Sequence, residues 1–383
     1  MAECAERLFP VTEPVTSLAD YIGIGGGRGL VTAVDRGPDW VIAELERAGL
    51  RGRDRNGVPI GAAWSAARDQ ATYVVGDATD SEPGAFKDRY LVRRNPYQIM
   101  EGLVIAAMCL GAARALIMVN RRFEHEIVAL LTAKDELAAA DLLGAVPVGL
   151  VADDRPESRL VTENVETLAH VPEVLRLGAE RFRLDGTGSS PGTTVFTISG
   201  DVRMPGVCEL PLGFPLRGLI DLVGGGTTGH PVKAVFPGAA GAPLGPGQLD
   251  IPLDFDSTAA AGSTLGSSGF VVYDETTCVV AATLVVVRLL CESGVHGAEP
   301  IRHCLERIER GAGTARDLDI VASGPADVVR GALARFTAEF TAHLGRACPL
   351  PRDLPLPRFT DFDEPARRFE YDEETAIGEG LSA

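Results

Sequence analysis

The spacing of hydrophobic residues predicts an α/β unit in the first half of the chain. In residues 38–49 the apolar side chains recur every three to four positions, which is typical of a short amphipathic helix. A strand over residues 72–75, a helix over 96–113 and a strand over 115–119 are predicted to follow. This order is typical of a parallel sheet, in which ligands gather at the carboxyl ends of the strands. We therefore expect the loop of residues 76–84 to line a ligand site.

The pattern changes near residue 193, where apolar runs become short and are separated by glycine and proline turns. This change predicts a small, separate β-rich domain. Its predicted elements are three strands and one helix, over residues 194–199, 207–209, 234–236 and 216–223.

The C-terminal part of the chain is predicted to be a helical bundle, because its aliphatic residues recur at helical spacing. The predicted helices cover residues 279–292, 301–311 and 326–344, and the proline-rich acidic segment after Cys348 is expected to be poorly ordered. The patterns together predict an N-terminal segment, an α/β domain, a β-rich domain, a helical bundle and a tail, over residues 1–30, 31–190, 191–276, 277–347 and 348–383.

Composition and charge narrow the possible partners. The 383 residues include 53 acidic and 36 basic ones, a formal net charge of −17, so nucleic acid is not an expected partner. The chain begins without the residue order of a secretory signal, and no apolar run approaches the roughly 18 residues of a membrane span. Seven scattered cysteines with no Cys-x-x-Cys pair indicate reduced thiols. We expect a cytoplasmic protein that does not insert into a membrane.

Several motifs suggest a nucleotide or metal site but lack the structural context or spacing that such a site requires. Residues 224–229, GGGTTG, satisfy the dinucleotide pattern but are predicted to follow a helix rather than a strand, so a flexible turn is expected. Residues 23–29, GIGGGRG, fail the pattern because Arg28 replaces a glycine. His296 and His303 are seven residues apart and would lie two turns apart on a helix. No metal ligands are predicted.

Four segments of the sequence resemble one family. They are GLRGRDRNGVP, SEPGAFKDRY, ENVETLAHVPEV and ISGDVRMPGVCELPLG, which begin at residues 49, 81, 163 and 198. The family is the NADH-oxidising flavoprotein subunit of respiratory complex I, with its relatives in NAD-linked hydrogenases and formate dehydrogenases. The resemblance implies an α/β fold class with a Rossmann-like FMN-binding domain, a β-grasp-like (SLBB) domain and a C-terminal helical bundle. In the family, NADH reduces FMN and electrons leave singly through a [4Fe–4S] cluster.

The cluster ligands of the family are missing. The resemblance places three cysteines after a Glu-Ser pair, but the positions that follow Glu292 and Ser293 at that spacing are Gly294, Gly297 and Pro300. Thiolates hold such clusters, and neither glycine nor proline can replace them. We therefore expect no [4Fe–4S] cluster.

The flavin loop is partly retained. Gly52, Arg53 and Gly57 match the family, and the resemblance implies that the guanidinium of Arg53 could meet the FMN phosphate. Asp54 and Arg55 replace two consecutive family glycines, and a carboxylate where the anion should rest is unfavourable.

On the isoalloxazine side, a family asparagine is replaced by Asp77, which removes an amide donor. Glu163 replaces a second asparagine, and Ala63 replaces a lysine that contacts the flavin in the family. The resemblance implies that the remaining flavin contacts come from Asp77, Asp80, Ser81, Asn164 and Thr167.

The NADH platform has also changed. The two phenylalanines that hold adenine in the family are Val58 and Ala66, and each stacking contact is worth about 1–3 kcal/mol. Glu82 and Glu136 are the carboxylates that the resemblance places near the nicotinamide.

Two functions are compatible with these residues. The first is a diaphorase-like, FMN-dependent NAD(P)H oxidoreductase that transfers electrons in pairs, without an iron–sulfur relay, to another redox subunit or a small electron carrier. The alternative is a catalytically silent paralogue that acts as a scaffold or partner-binding subunit. The retained sequence segments that surround the flavin in the family favour the first function.

Overall fold

Three hydrophobic cores organise the computed structural model. It describes residues 7–9, 13–54, 56–80, 82–144, 146–152, 160–350 and 354. One core is built almost entirely from residues before 183, a second lies within 196–272, and a third joins part of that region to residues 278–354. The predicted tail, apart from its first residues, lies outside the described residues.

The first region contains a four-stranded parallel sheet in the order β3-β2-β1-β4. Its strands are β1 (Tyr73–Ala78), β2 (Arg114–Val119), β3 (Val148–Ala152) and β4 (Leu160–Asn164). Its helices are α1 (Leu18–Gly23), α2 (Arg28–Arg36), α3 (Pro38–Ala48), α4 (Ile60–Ala67), α5 (Lys87–Arg94), α6 (Pro96–Leu110), α7 (Glu124–Ala139), α8 (Val165–Leu177) and α9 (Ala179–Phe182). The predicted α/β class is confirmed, with helix ends within a few residues of the expected ones.

Local sequence explains why the two helices nearest the sheet form and pack. The Asn95 side chain caps α6 by accepting from the Gln98 amide, and Pro96 occupies the first helical position. In the middle of α6, a Cβ on Gly102 would lie 1.9 Å from the carbonyl oxygen of Leu168 in α8. Only glycine permits this approach, which holds α8 against α6.

The second region is a mixed sheet in the order β6-β5-β8-β7, in which β5 and β8 are parallel and the outer pairs are antiparallel. This arrangement is the β-grasp-like domain that the sequence predicts. Its elements are β5 (Thr193–Gly200), β6 (Gly206–Pro211), α10 (Leu216–Gly218), a π-helical turn (Leu219–Val223), β7 (Val232–Pro237), a 3-10 turn (Pro246–Gln248), α11 (Phe255–Ala260) and β8 (Gly269–Asp274). Residues 224–229 lie between the π-helical turn and β7, so the predicted turn is confirmed.

The third region is a helical layer that packs on one face of this sheet. Alternate residues of β7 and β8, such as Ala234 and Phe236, face the helices, while Val235 and Val272 face the domain's own core. The helices are α12 (Val279–Glu292), α13 (Ala298–Glu309), α14 (Ala315–Ala322), α15 (Asp327–Arg335) and α16 (Thr337–Ala342).

The prediction of one helix over residues 326–344 is wrong. The backbone leaves helical geometry at Phe336, with φ −114° and ψ 31°, and divides the segment into α15 and α16. The Thr337 hydroxyl donates to the carbonyls of Leu333 and Ala334, a side-chain bond that competes with helical geometry. None of the helices in the described part of the chain has the length and apolar character that crossing a membrane requires.

Candidate functional site

A cavity of about 550 Å³ lies where the sheet changes direction. The chain runs from β1 to β2 and β3 on one side, then returns to place β4 on the other side of β1. The carboxyl ends of β1 and β4 therefore flank a topological switch point, where open α/β sheets bind ligands. The volume lies within the range of small-molecule sites. The predicted location of the site is thus where the structure has a cavity.

The cavity lining is strongly acidic. No lysine or arginine of the described residues lines it, whereas five carboxylates do, those of Asp54, Asp77, Asp80, Glu82 and Asp88. Such a cavity attracts cations and repels phosphate.

A buried lysine behind the lining neutralises part of this charge. Lys87 is 1% exposed, and its Nζ lies 2.7 Å from Glu166 Oε2, 3.2 Å from Asp88 Oδ1 and 2.6 Å from Asn164 Oδ1. Burial and Asp88 raise the pKa of the Asp80 carboxyl well above its ordinary range. Lys87 thus serves a buried ion-pair network and is not available to a ligand.

The predicted phosphate-binding arginine is bound by backbone carbonyls of the protein itself. The Arg53 side chain is 2% exposed, and its guanidinium donates to the carbonyls of Thr193, Pro191 and Arg51 at 2.9–3.0 Å. The Arg53 amide donates to the Thr167 hydroxyl at 2.7 Å, and Thr167 is fully buried. Neither Arg53 nor Thr167 lines the cavity. Both tie the loop to its neighbours, so their geometry does not favour the predicted flavin contacts.

In the loop that the resemblance assigns to flavin, backbone amides bind the carboxylate of Asp54, a residue of the same loop. Asp54 Oδ1 accepts hydrogen bonds from the backbone amides of Asn56 and Gly57, each at 3.0 Å. Gly57 has φ +55°, and a Cβ there would lie 2.4 Å from the ring of Phe255. Gly52 donates its amide to the Val58 carbonyl at 2.8 Å. Two backbone amides of this loop are therefore already occupied by a carboxylate, and a third by a backbone carbonyl.

The residues at the ends of β1 and β4 bind each other. Asp77 Oδ1 accepts from the amide and hydroxyl of Thr79, and the Asp80 carboxylate accepts from the amides at the start of α5. Asp80 has φ +44°, a strained value that this capping holds in place. Asn164 Nδ2 donates to Asp88 at 2.9 Å. The predicted residues Asp77, Asp80 and Asn164 do line the cavity, whereas Ser81 lies outside the described residues.

The two predicted catalytic carboxylates are not brought together at the cavity. Glu82 lines it, and its Oε2 accepts from the Ser267 amide at 3.2 Å. Glu136 accepts from the Leu18 amide at 2.7 Å and from the Tyr97 hydroxyl at 2.9 Å, and it does not line the cavity. The Glu136 carboxylate instead anchors α1 on α7 and α6, so a shared role of the two carboxylates near the nicotinamide stays a prediction.

Comparisons with known proteins agree with the fold. The model of the Nuo51 FMN-binding domain matches residues 45–153, and the SLBB domain model matches residues 195–245. The NADH-quinone oxidoreductase F subunit 2 of Rhizobium meliloti (strain 1021) is 32% identical over 405 residues, which cover 87% of this chain and 96% of the relative. The chain belongs to the family of NADH-quinone oxidoreductase F subunits.

Other members and a solved structure extend this similarity. NADP-reducing hydrogenase subunit HndC of Solidesulfovibrio fructosivorans is 30% identical, over 79% of this chain and 72% of the relative. An NAD⁺-reducing [NiFe]-hydrogenase in the H₂-reduced state shares the fold with a TM-score of 0.73 and 24% identity. That match covers 85% of this chain and 66% of the hydrogenase chain.

The structure also shows a buried carboxyl whose partner the sequence did not predict. Glu163, at the position where the resemblance places an asparagine, is 8% exposed and accepts from the Trp64 indole N–H at 2.8 Å. Burial, together with the nearby Asp54 carboxylate, raises the pKa of Glu163 to about 7. The signal in the sequence was the Trp64 retained on α4, but its partner became evident only from the packing of β4.

The structure also places the residues that the resemblance aligns with the adenine platform and with the cluster ligands. Val58 and Ala66 are exposed, without the aromatic rings that the family uses. Gly294 and Gly297 form the turn between α12 and α13, and Pro300 lies within α13. The described residues therefore supply no set of four thiolates at the family position, and a [4Fe–4S] cluster does not fit there.

Proposed function

We propose that this chain is a catalytically silent, partner-binding member of a redox assembly. It retains the fold of the F subunits and uses it as a scaffold, without oxidising NADH through FMN. The observation that carries this proposal is the Asp54 carboxylate, which is bound to two loop amides at 3.0 Å.

Charge around the cavity supports the proposal. Relative to the pattern that the family resemblance implies, Asp54, Asp77 and Glu163 add carboxyl groups, and Ala63 removes a cation. Two like charges 4 Å apart repel by about 4 kcal/mol at an effective dielectric constant of 20. An FMN phosphate would therefore meet repulsion in a cavity whose nearby Arg53 is committed to backbone carbonyls. The residues present do not fit the phosphate end of FMN.

The residues that the resemblance assigns to electron entry, at the nucleotide, and to electron exit, at the cluster, are both changed. Loss of two stacking rings would weaken nucleotide binding, since each is worth about 1–3 kcal/mol. Gly294, Gly297 and Pro300 stand where the resemblance places cluster cysteines, so single electrons have no cluster through which to leave. Two of the relatives are named as subunits of a quinone oxidoreductase and a hydrogenase, which favours another redox subunit as the partner.

A second candidate is FMN-dependent two-electron transfer. The volume and switch-point position of the cavity and the match of residues 45–153 to an FMN-binding domain favour it. In that case Asp77, Asn164 and Glu82 would line the flavin site. The flavin would supply the hydride-accepting chemistry, and these side chains would only orient it.

Flavin binding separates the two candidates. We expect the purified full-length protein to be colourless and not to quench the fluorescence of added FMN. The double variant Asp54→Gly/Ala63→Lys frees the loop amides and restores a cation, so it should gain FMN binding. Asp69→Gly, which removes an exposed carboxylate away from the cavity, is the matched control and should not.

The outcomes are distinguishable. Stoichiometric FMN in the wild-type protein, or its reduction by NADH, would overturn the proposal and support the second candidate. If neither wild type nor double variant binds FMN, the chain is silent but Asp54 is not the cause.

A further inference from the structure

Three potential metal ligands meet in the helical layer, far apart in sequence. Cys278 precedes α12, His343 follows α16 and Cys348 lies five residues further on. The sulfur atoms and an imidazole nitrogen all lie within 4.8 Å of one another. All three residues are buried, at 0%, 6% and 6% exposure. Within the part of the chain that the structure describes, no other group of three such residues is this close.

The imidazole is oriented as a metal ligand would be. His343 Nδ1 lies 2.7 Å from the Glu339 carbonyl, which can only accept, so the proton resides on Nδ1. This leaves the Nε2 lone pair facing Cys278 Sγ at 3.4 Å. Metal-binding histidines are characteristically held by such a bond from their other nitrogen.

The distances suit a tetrahedral ion. With bonds of about 2.3 Å to sulfur and about 2.05 Å to nitrogen, a tetrahedral site separates the two ligand atoms by about 3.6 Å. The 3.4 Å between Cys278 Sγ and His343 Nε2 is close to that value. Cys348 is also held in place, since its amide donates to the Glu309 carbonyl at 3.2 Å.

The nearest charged side chains are paired with each other, so the two sulfur atoms and the imidazole remain available to bind a cation. Glu339 Oε1 accepts from Lys233 Nζ and from the Val279 amide, each at 3.0 Å, so that carboxylate is already paired. Two thiolates and a neutral imidazole balance the charge of one divalent ion, which is what a buried site needs. A mixed sulfur and nitrogen set is typical of zinc.

We propose that Cys278, His343 and Cys348 bind one Zn²⁺ ion that ties α12 to α16 and the segment after it, with water in the fourth position. This site is separate from the acidic cavity and does not depend on flavin. Cys278 and His343 are 65 residues apart, so no spacing pattern in the sequence predicts that they meet.

Metal content of the full-length protein, purified under reducing conditions, tests the proposal. We expect one zinc per chain in the wild type and in Cys304→Ser, a control that changes a buried cysteine of the same core outside the set. Cys348→Ser and Cys278→Ser should weaken zinc binding by more than the roughly 10–100-fold that loss of an outer hydrogen-bond partner costs. Zinc should raise the melting temperature of the wild type and the control only.

Cobalt replacement provides a readout that does not depend on the stability of the variants. Co²⁺ bound by the wild type should give a sulfur-to-cobalt charge-transfer band and the visible bands of a tetrahedral ion. A folded wild-type protein that binds neither zinc nor cobalt, or binds them no better than Cys348→Ser, would overturn the proposal. A Cys278–Cys348 disulfide found by mass spectrometry in protein kept reduced and supplied with zinc would overturn it equally.

Discussion

Glu163 should make the stability of the protein depend on pH in the neutral range. Its pKa is raised by burial from 4.5 to about 7, so the folded state favours the protonated carboxyl. Below pH 4.5 both folded and unfolded states are protonated and the carboxyl costs nothing. Between pH 4.5 and 7 the unfolded state ionises while the folded state keeps its proton, so folding stability is lost across this window and the loss is complete above pH 7.

The magnitude follows from that shift. The difference between about 7 and 4.5, at about 1.4 kcal/mol per pKa unit, amounts to about 3 kcal/mol above pH 7. Glu163→Gln keeps the oxygen that accepts from Trp64 and removes the ionisation. We expect this variant to be more stable than the wild type by up to about 3 kcal/mol at pH 8 and by less than about 1 kcal/mol at pH 5.

Two measurements check this prediction. Urea unfolding at pH 5 and pH 8 gives the stability difference, with Glu180→Gln, an exposed glutamate, as the control. The chain has two tryptophans, so in a Trp40→Phe background the fluorescence of Trp64 should titrate near pH 7 and lose that transition in Glu163→Gln. A gain of equal size at both pH values, or no fluorescence transition between pH 5 and 8.5, would refute the reasoning.

Two further substitutions test the packing and the ion pairs. Gly102→Ala should destabilise the protein by about 1–3 kcal/mol in urea unfolding, because its Cβ would lie 1.9 Å from the Leu168 oxygen. Gly188→Ala, with nothing within 4 Å, should be neutral, and equal effects would contradict the close approach of α6 and α8. Lys87→Met should cost about 3–5 kcal/mol at pH 7 because it leaves Glu166 buried without its cation. Since Lys87 opposes the effect of burial and helps lower the Glu166 pKa to about 2, that cost should shrink as Glu166 becomes protonated in acid, and a pH-independent loss would show that packing alone is responsible.

The sequence predicted those elements that local rules determine. Pro38 marks the start of α3 and Gly49 its end, and turns that contain glycine mark the ends of most strands of the second sheet. It did not predict β8, because this strand is buried along its whole length and carries no alternation of polar and apolar residues. It also missed the break at Phe336, which no glycine or proline marks.

Candidate site residues were harder to predict than the fold, because a residue's type does not reveal its orientation. Arg53 and Glu136 kept the charge that ligand binding needs, yet their side chains bind the protein itself. Cys278 and Cys348 carried no spacing signal, because five helices separate them in the sequence and only the folded chain brings them together. Local patterns therefore indicate where a cavity lies better than they indicate what it can hold.

The Asp54 substitution has consequences beyond one lost glycine. The Asp54 carboxylate is tethered two residues from the Asn56 amide that it binds, so its effective concentration there is about millimolar. A free anion would need a similar concentration to compete with it. FMN would have to displace this internal anion, with its phosphate entering beside the other cavity carboxylates. The same Asp54 charge contributes to raising the pKa of Glu163, so Asp54→Gly should both free the loop amides and lower that pKa. The Trp64 fluorescence titration therefore reports whether Asp54 acts electrostatically, even in a variant that still fails to bind flavin.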